Sequence, residues 1–480
     1  MTLLGPDGKP IRRDPEVSEE VRQIVEQARS VAAQGEPLLA LQHLAMAYQQ
    51  DIASDLVIDT TIELLKQGAQ QSGIQTNDEL TLFEQIRQDR TNPIPYYQLG
   101  NRFFQLQRPF LARPFLDRSR QLLAALPPSA FERPELLQLR QAADVDYAQT
   151  LMDLGEYEQT LEMFHTINDT YGGLPIWLIL EMAECYALLG QMEEAEATYR
   201  LITPEALSAI TAQLPEMESV YEEVGDLLAR VQDFEDPRAM GLREWHYVQT
   251  RGILVETNPQ PETPGERFVF FQPSEEDVAY VVGVTAAFLD ARDLAPTKLL
   301  WLGETSEPLA RLFAQWWEIE EKNIRPYQIG DNTDSEEELA LLCLAHSYDI
   351  QDEDTYQDLA TAKPGLILFA LDLHWTERQP ITPDIAGFMT QTCNLPWETR
   401  LEISPDGQTA TPIQETRDPQ TIAQEIGAQF PTTEECERVA EELTETYANC
   451  TDLILDHRDG TLIRRPLPIH SPIKSPRFGL

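Results

Sequence analysis

The chain has 480 residues, 42% apolar and 24% charged, which is the mixture of a globular protein of about two to four domains rather than of a disordered chain. Acids outnumber bases 81 to 36, and the net charge of −45 repels phosphate backbones and anionic lipid, which disfavours general binding to nucleic acid or to a membrane surface. The longest apolar runs, at 299–303 and 365–371, are too short to cross a bilayer, and residues 1–16 lack the apolar core of a secretion signal.

Five scattered cysteines (Cys185, Cys343, Cys393, Cys436, Cys450) form no CxxC pair, which argues against a zinc ribbon or a disulfide framework. The expected compartment is the cytoplasm, and no cofactor or metal is expected. Only six of the 36 bases are lysine, a bias that a salt-rich cytoplasm or genome composition accounts for as well as a dedicated partner does.

Residues 1–15 read as a flexible lead. From 16 to 255 the apolar spacing is helical, with short Gly, Pro or Asn breaks. One helix covers 16–34, Gly35 breaks it, and 37–50 form the next. Residues 93–122 repeat the pattern with Leu99, Gly100 and Phe103, then Ala112, Leu116 and Ser119. Residues 141–168 follow with Ala148, Leu151, Gly155, Tyr157 and Phe164. The clearest copy is 176–204, with Ala183, Tyr186, Gly190, Ala195 and Tyr199 and with Pro204 closing it.

These positions resemble the tetratricopeptide repeat, a helix-turn-helix unit of 34 residues. The turn residues Gly35, Gln107, Gly155 and Gly190 lie 72, 48 and 35 residues apart, so the first interval has room for one degenerate unit around 55–90. A non-repeating helical bundle is the alternative. In the repeat family a groove lined from each first helix grips extended peptides. Carried over, that implies partner binding by Arg29, Asn101, Gln149 and Glu184, with Tyr97, Arg102, Phe104 and Arg113 nearby. Residues 101–140 hold seven arginines against three acids, an island able to dock an acidic surface or to be neutralised locally.

Residues 216–258 continue helical and cap the array, and the proline-rich segment 256–266 reads as a linker. The period then changes. Strands are expected at 267–273, 297–303, 324–330 and 365–373, with helices at 275–292, 306–321, 336–348 and over DTYQDLATA. Alternation of this kind predicts a mainly parallel sheet covered on both faces, similar to a Rossmann fold in the broad sense, over 267–460. Beyond Pro380, IAGFMTQT and residues 432–449 are expected as helices, and LILDH and TLIRR as edge strands. Residues 461–480 read as an extended basic tail with prolines. The expected fold class is therefore α + α/β.

In such sheets ligands gather beyond the carboxyl ends of the strands. Those ends supply Gly303 and Glu304, Asp331, and Asp372 with His374, a set able to hold a divalent metal or to run acid–base chemistry. Acids are abundant everywhere in this chain, and neither a GxGxxG nor a Walker loop occurs. His346, three residues after Cys343 in an apolar run, reads as a core histidine. The expected function is a non-catalytic adaptor or scaffold that binds a protein partner, with self-association open. The alternative is a transferase, similar to a methyltransferase, with its active site at the strand ends.

Overall fold

The fold is that of a computed structural model, which describes residues 17–72, 77–259, 265–331, 339–350, 352–361, 363, 365–375, 381–398, 400–403, 410–413, 415–448, 453–455, 458 and 465–469. The expected lead at 1–15, residues 260–264 of the expected linker, Cys450 and all but 465–469 of the basic tail lie outside the described residues. The architecture is α + α/β, and the chain divides into two compact units, Met1–Ser219 with Arg477–Leu480, and Val220–Pro476. No helix among the described residues is long and apolar enough to cross a membrane.

The first unit is helical: α1 (Glu19–Ala33), α2 (Pro37–Asp51), α3 (Asp55–Ser72), α4 (Asn77–Gln88), α5 (Pro93–Gln105), α6 (Pro109–Ala124), α7 (Pro134–Asp153), α8 (Tyr157–Tyr171), α9 (Ile176–Leu188), α10 (Met192–Tyr199) and α11 (Pro204–Thr211). Each of α1 to α10 packs on the helix before or after it, and α2 also touches α6. The interval around 55–90 holds the pair α3 and α4.

Local chemistry explains the breaks. Gly35, Gln107, Gly155 and Gly190 have φ of +95°, +56°, +73° and +69°, the left-handed geometry that ends a helix. The next helix then starts with proline at α2 and α6, where the missing N–H costs nothing. At α5 the side chain of Asn92 accepts from the Ile94 amide at 3.0 Å and caps the helix. Tyr48, Phe83 and Phe115 meet at ring separations of 5.3 to 6.1 Å and join α2, α4 and α6 in one core.

The second unit begins within α12 (Glu216–Gln232) and continues through α13 (Leu242–Thr250), β1 (Ile253–Leu254), β2 (Phe268–Phe271), α14 (Glu275–Ala291), β3 (Lys298–Trp301), α15 (Glu307–Trp316), β4 (Ile324–Pro326), β5 (Ala340–His346), α16 (Glu353–Ala360), β6 (Leu366–His374) and β7 (Ile385–Cys393). It ends with the antiparallel pair β8 (Arg400–Ile403) and β9 (Ala410–Ile413), then α17 (Pro419–Gly427) and α18 (Thr433–Thr446). The sheet order is β4-β3-β5-β6-β7, with β1 and β2 both paired to the outer edge of β7, and every pairing in it is parallel. The chain runs outward from β3 to β4 and returns to the other side of β3 as β5, so the strand order reverses between β3 and β5.

One side of the sheet, with Leu341, Cys343, Ile367 and Phe369, packs in one core with residues of α14, α15, α17 and α18. The other, with Leu342, Leu344, Leu368 and Ala370, packs with Leu359 of α16. A strand buried on both faces reads as a continuous apolar run, and that misleads a periodicity argument. The run at 336–348 was expected as a helix; its described part is β5, seven residues buried without exception. IAGFMTQT, also expected as a helix, is the body of β7. Residues 453–455 of LILDH form no strand, and the described residue of TLIRR, Arg465, lies in none. The contact boundary stands well upstream of the proline-rich segment, because β1 pairs with β7 at Ile253↔Ile385 and α13 packs on β1.

Candidate functional site

The carboxyl ends of β5, β6 and β7 bring together side chains that sequence distance had separated. His346 is the last residue of β5 and pairs in register with Asp372 of β6. Its Nδ1 lies 2.9 Å from Asp372 Oδ2, and its Nε2 lies 3.0 Å from Oε1 of Glu398, which follows β7. Thr390 of β7 donates to the second oxygen of Asp372 at 2.7 Å. Glu398 is itself fixed, since its Oε2 accepts from the Leu395 amide at 2.7 Å. Asp349 accepts from the His346 amide at 3.1 Å, and Thr305, just after β3, reaches Asp349 at 3.4 Å. Tyr348, 45% exposed, stacks its ring on the imidazole at 4.8 Å and meets His374 edge-on at 5.9 Å.

The electrostatics follow from this geometry. Burial disfavours an imidazolium at His346, but the hydrogen bonds and charges of Asp372 and Glu398 outweigh it and push the pKa up to about 10. Glu398 is half-buried; burial raises its carboxyl, but His346 outweighs that and holds it below its ordinary value. Asp349 is raised by burial, and the Cys393 thiol is pushed up by burial and then by Asp372 and Glu398. His346 and Asp372 are 2% and 0% exposed. Both ring nitrogens of His346 are thus engaged by carboxylates, and burial disfavours the nucleophilic thiolate at Cys393.

Of the residues picked out at the strand ends, Asp372 and His374 join this group, and Gly303 lies beside its Thr305 and Asp349. Glu304 is exposed in a short 3₁₀ turn after Gly303, whose φ is +79°. Asp331 accepts both guanidinium nitrogens of Arg325, at 2.6 and 2.9 Å, and that pairing holds its carboxyl down. His346, Tyr348, Asp349, Thr390, Cys393 and Glu398 were not proposed. The signal was available: reading LLCLAH as a buried strand would have put His346 at a carboxyl end by the rule that selected His374.

In the helical unit the expected partner-binding residues are largely occupied within the chain. Asn101 donates to Asp146 at 2.8 Å, and the Tyr97 hydroxyl also bonds Asp146. Gln149 donates to Glu181 at 3.1 Å, and Arg29 faces Glu63 at 3.9 Å. Glu184 is buried, and Phe104 is half-buried. Arg102 meets Asp78 and Glu79, Arg113 meets Glu156, and Arg120 meets Asp144, so three of the seven arginines of the island are neutralised in place. A surface groove of about 530 Å³ nevertheless opens there, lined by Asp78, Thr81, Leu82, Gln98, Asn101, Arg102 and Gln105.

No protein-family model matches the chain, and no curated protein matches it in sequence.

Proposed function

We propose that the chain is a non-catalytic adaptor or assembly scaffold. In this reading a tetratricopeptide-like array in the first unit binds a protein partner, and the Rossmann-like second unit adds a further surface. The observation that carries it is the closure of His346: where an α/β enzyme would hold its reactive groups, both ring nitrogens are consumed by Asp372 and Glu398. The groove around Asn101 and Arg102 supports the binding half of the reading, because it offers polar side chains and coincides with two residues of the expected repeat groove. The partner is a protein with mixed polar chemistry rather than a strongly acidic one, given how many arginines are already paired. The four described cysteines are buried free thiols, as a reducing cytoplasm would keep them.

The test is affinity capture by the full chain, comparing the natural protein with Gln98→Arg/Asn101→Trp and with Asp372→Asn. The expected result is a partner lost from the groove variant and kept by Asp372→Asn. Equal capture by all three sinks the groove assignment. The second reading, a methyltransferase-like transferase, is favoured by one observation, the reversal of strand order between β3 and β5 beside Gly303 and Asp349. A reproducible thermal shift with adenosyl cofactors, lost in Glu304→Ala, would support it over the adaptor.

A further inference from the structure

The residues that close the cluster also have the composition of a metal centre. His346, Asp372 and Cys393 come from the carboxyl ends of three adjacent strands, and one ligand atom from each lies within 4.8 Å of the others. Tetrahedral zinc with bonds of about 2.0 to 2.3 Å sets its ligands about 3.3 to 3.7 Å apart, so closing the set takes movements on the order of 1 Å. All three side chains are buried, Cys393 at 8% exposure being the most open, and the strands that carry them are neighbours in the middle of the sheet.

What surrounds the three residues argues further. A metal-ligating histidine characteristically gives its other ring N–H to a carboxylate, which fixes the ring and strengthens the ligand. Here Nδ1 faces Asp372, and Nε2 faces Glu398, a carboxylate tied down by the Leu395 amide. A ligating carboxylate is in turn hydrogen-bonded through its free oxygen, and Thr390 does this for Asp372 at 2.7 Å. We propose that His346, Asp372 and Cys393 form a binding site for a zinc-class divalent cation, with Glu398 and Thr390 as the positioning residues behind it.

Thiolate together with imidazole selects zinc or cobalt(II) over magnesium and calcium, which take oxygen ligands. A bound cation would replace the hydrogen bond between Nδ1 and Asp372 and leave Nε2 on Glu398, so both ring nitrogens stay engaged, as in the adaptor reading. A cation held this deep would act first on stability, because it binds the folded chain and not the unfolded one.

The experiment uses the full chain, stripped with a chelator and then loaded with zinc or cobalt(II). The expected results are one zinc retained per chain after dialysis, a rise in melting temperature with zinc, and a tetrahedral cobalt spectrum with a thiolate-to-metal charge-transfer band. Cys393→Ser and His346→Gln should abolish that band, whereas Cys185→Ser should keep it. Glu398→Gln should weaken zinc affinity about 10- to 100-fold while leaving the band in place. Should the site variants fail to fold by circular dichroism, the natural protein's cobalt spectrum decides alone. A weak octahedral spectrum with no thiolate band overturns the proposal, and so does zinc retention unchanged in Cys393→Ser.

Discussion

Asp384 and Arg458 show what a single buried charge pair does in this protein. Both side chains are fully buried, with 2.9 Å between Arg458 Nη2 and Asp384 Oδ2. Asp384 also accepts the amides of Leu368 at 2.6 Å and Leu455 at 2.8 Å, and Arg458 donates to the Leu366 carbonyl at 2.6 Å. The pair therefore pins the start of β6 to the entry of β7 and to the segment after α18. Burial raises the Asp384 pKa and Arg458 opposes it, so removing the arginine leaves an uncompensated carboxyl. Arg458→Met or Asp384→Ala should each cost about 3 to 5 kcal/mol, read from the urea midpoint at constant slope. A loss under about 1 kcal/mol would mean that the pair is dispensable.

Glu415 supplies the pH dependence. The Arg417 guanidinium beside it, at 2.7 Å, holds its carboxyl at about 2 against an ordinary value of 4.5. A carboxyl whose folded pKa is depressed contributes stability above the unfolded pKa, and that contribution is lost as pH falls from 4.5 towards 2. Replacing Glu415 by Gln should therefore lower the urea midpoint at about pH 6 and leave it nearly unchanged at about pH 2. The pair is partly solvated, so the difference should be modest.

Among the elements, the crossing of α5 and α6 is the one whose cause is sharpest. Gly100 sits against α6 so closely that a Cβ there would lie 2.6 Å from Leu116 Cγ and 3.0 Å from the Leu116 backbone nitrogen. Alanine is the better helix former by about 1 kcal/mol, but overpacking at a contact involving backbone costs about 1 to 3 kcal/mol. On balance the clash wins, and Gly100→Ala should lower stability by up to about 2 kcal/mol in thermal or urea unfolding. A stabilised variant would show that the helices part freely. The helices themselves were legible because their signals are local: the glycines at 35, 155 and 190 take the positive φ that their turn positions require, and Pro37, Pro93 and Pro109 each open a helix.

Strands β5 and β7 were not legible for the same reason in reverse. ALLCLAH and IAGFMTQTC have no alternation, because their neighbours bury both faces, and an apolar run alone does not distinguish a strand from a buried helix. Misreading those two strands hid His346 and Cys393 from the search for a site, although Asp372 was found.

For the molecule as a whole, composition and spacing settle the order of events along the chain: helices first, then strands alternating with helices, in a strongly acidic protein with no long apolar helix among the described residues. These follow from near-neighbour rules, since caps, turns and helical period need only residues a few positions apart. Three matters required the tertiary structure. The unit boundary at Ser219 depends on β1 finding β7 more than a hundred residues later, at Ile253↔Ile385. The neutralisation of the arginines at 102, 113 and 120 depends on acids from other helices. The joining of His346, Asp372, Cys393 and Glu398 depends on sheet register, which places residues 26 and 52 positions from His346 within hydrogen-bond reach of it. Register and long-range pairing are set by how whole faces bury against one another, and no short stretch of sequence carries that information.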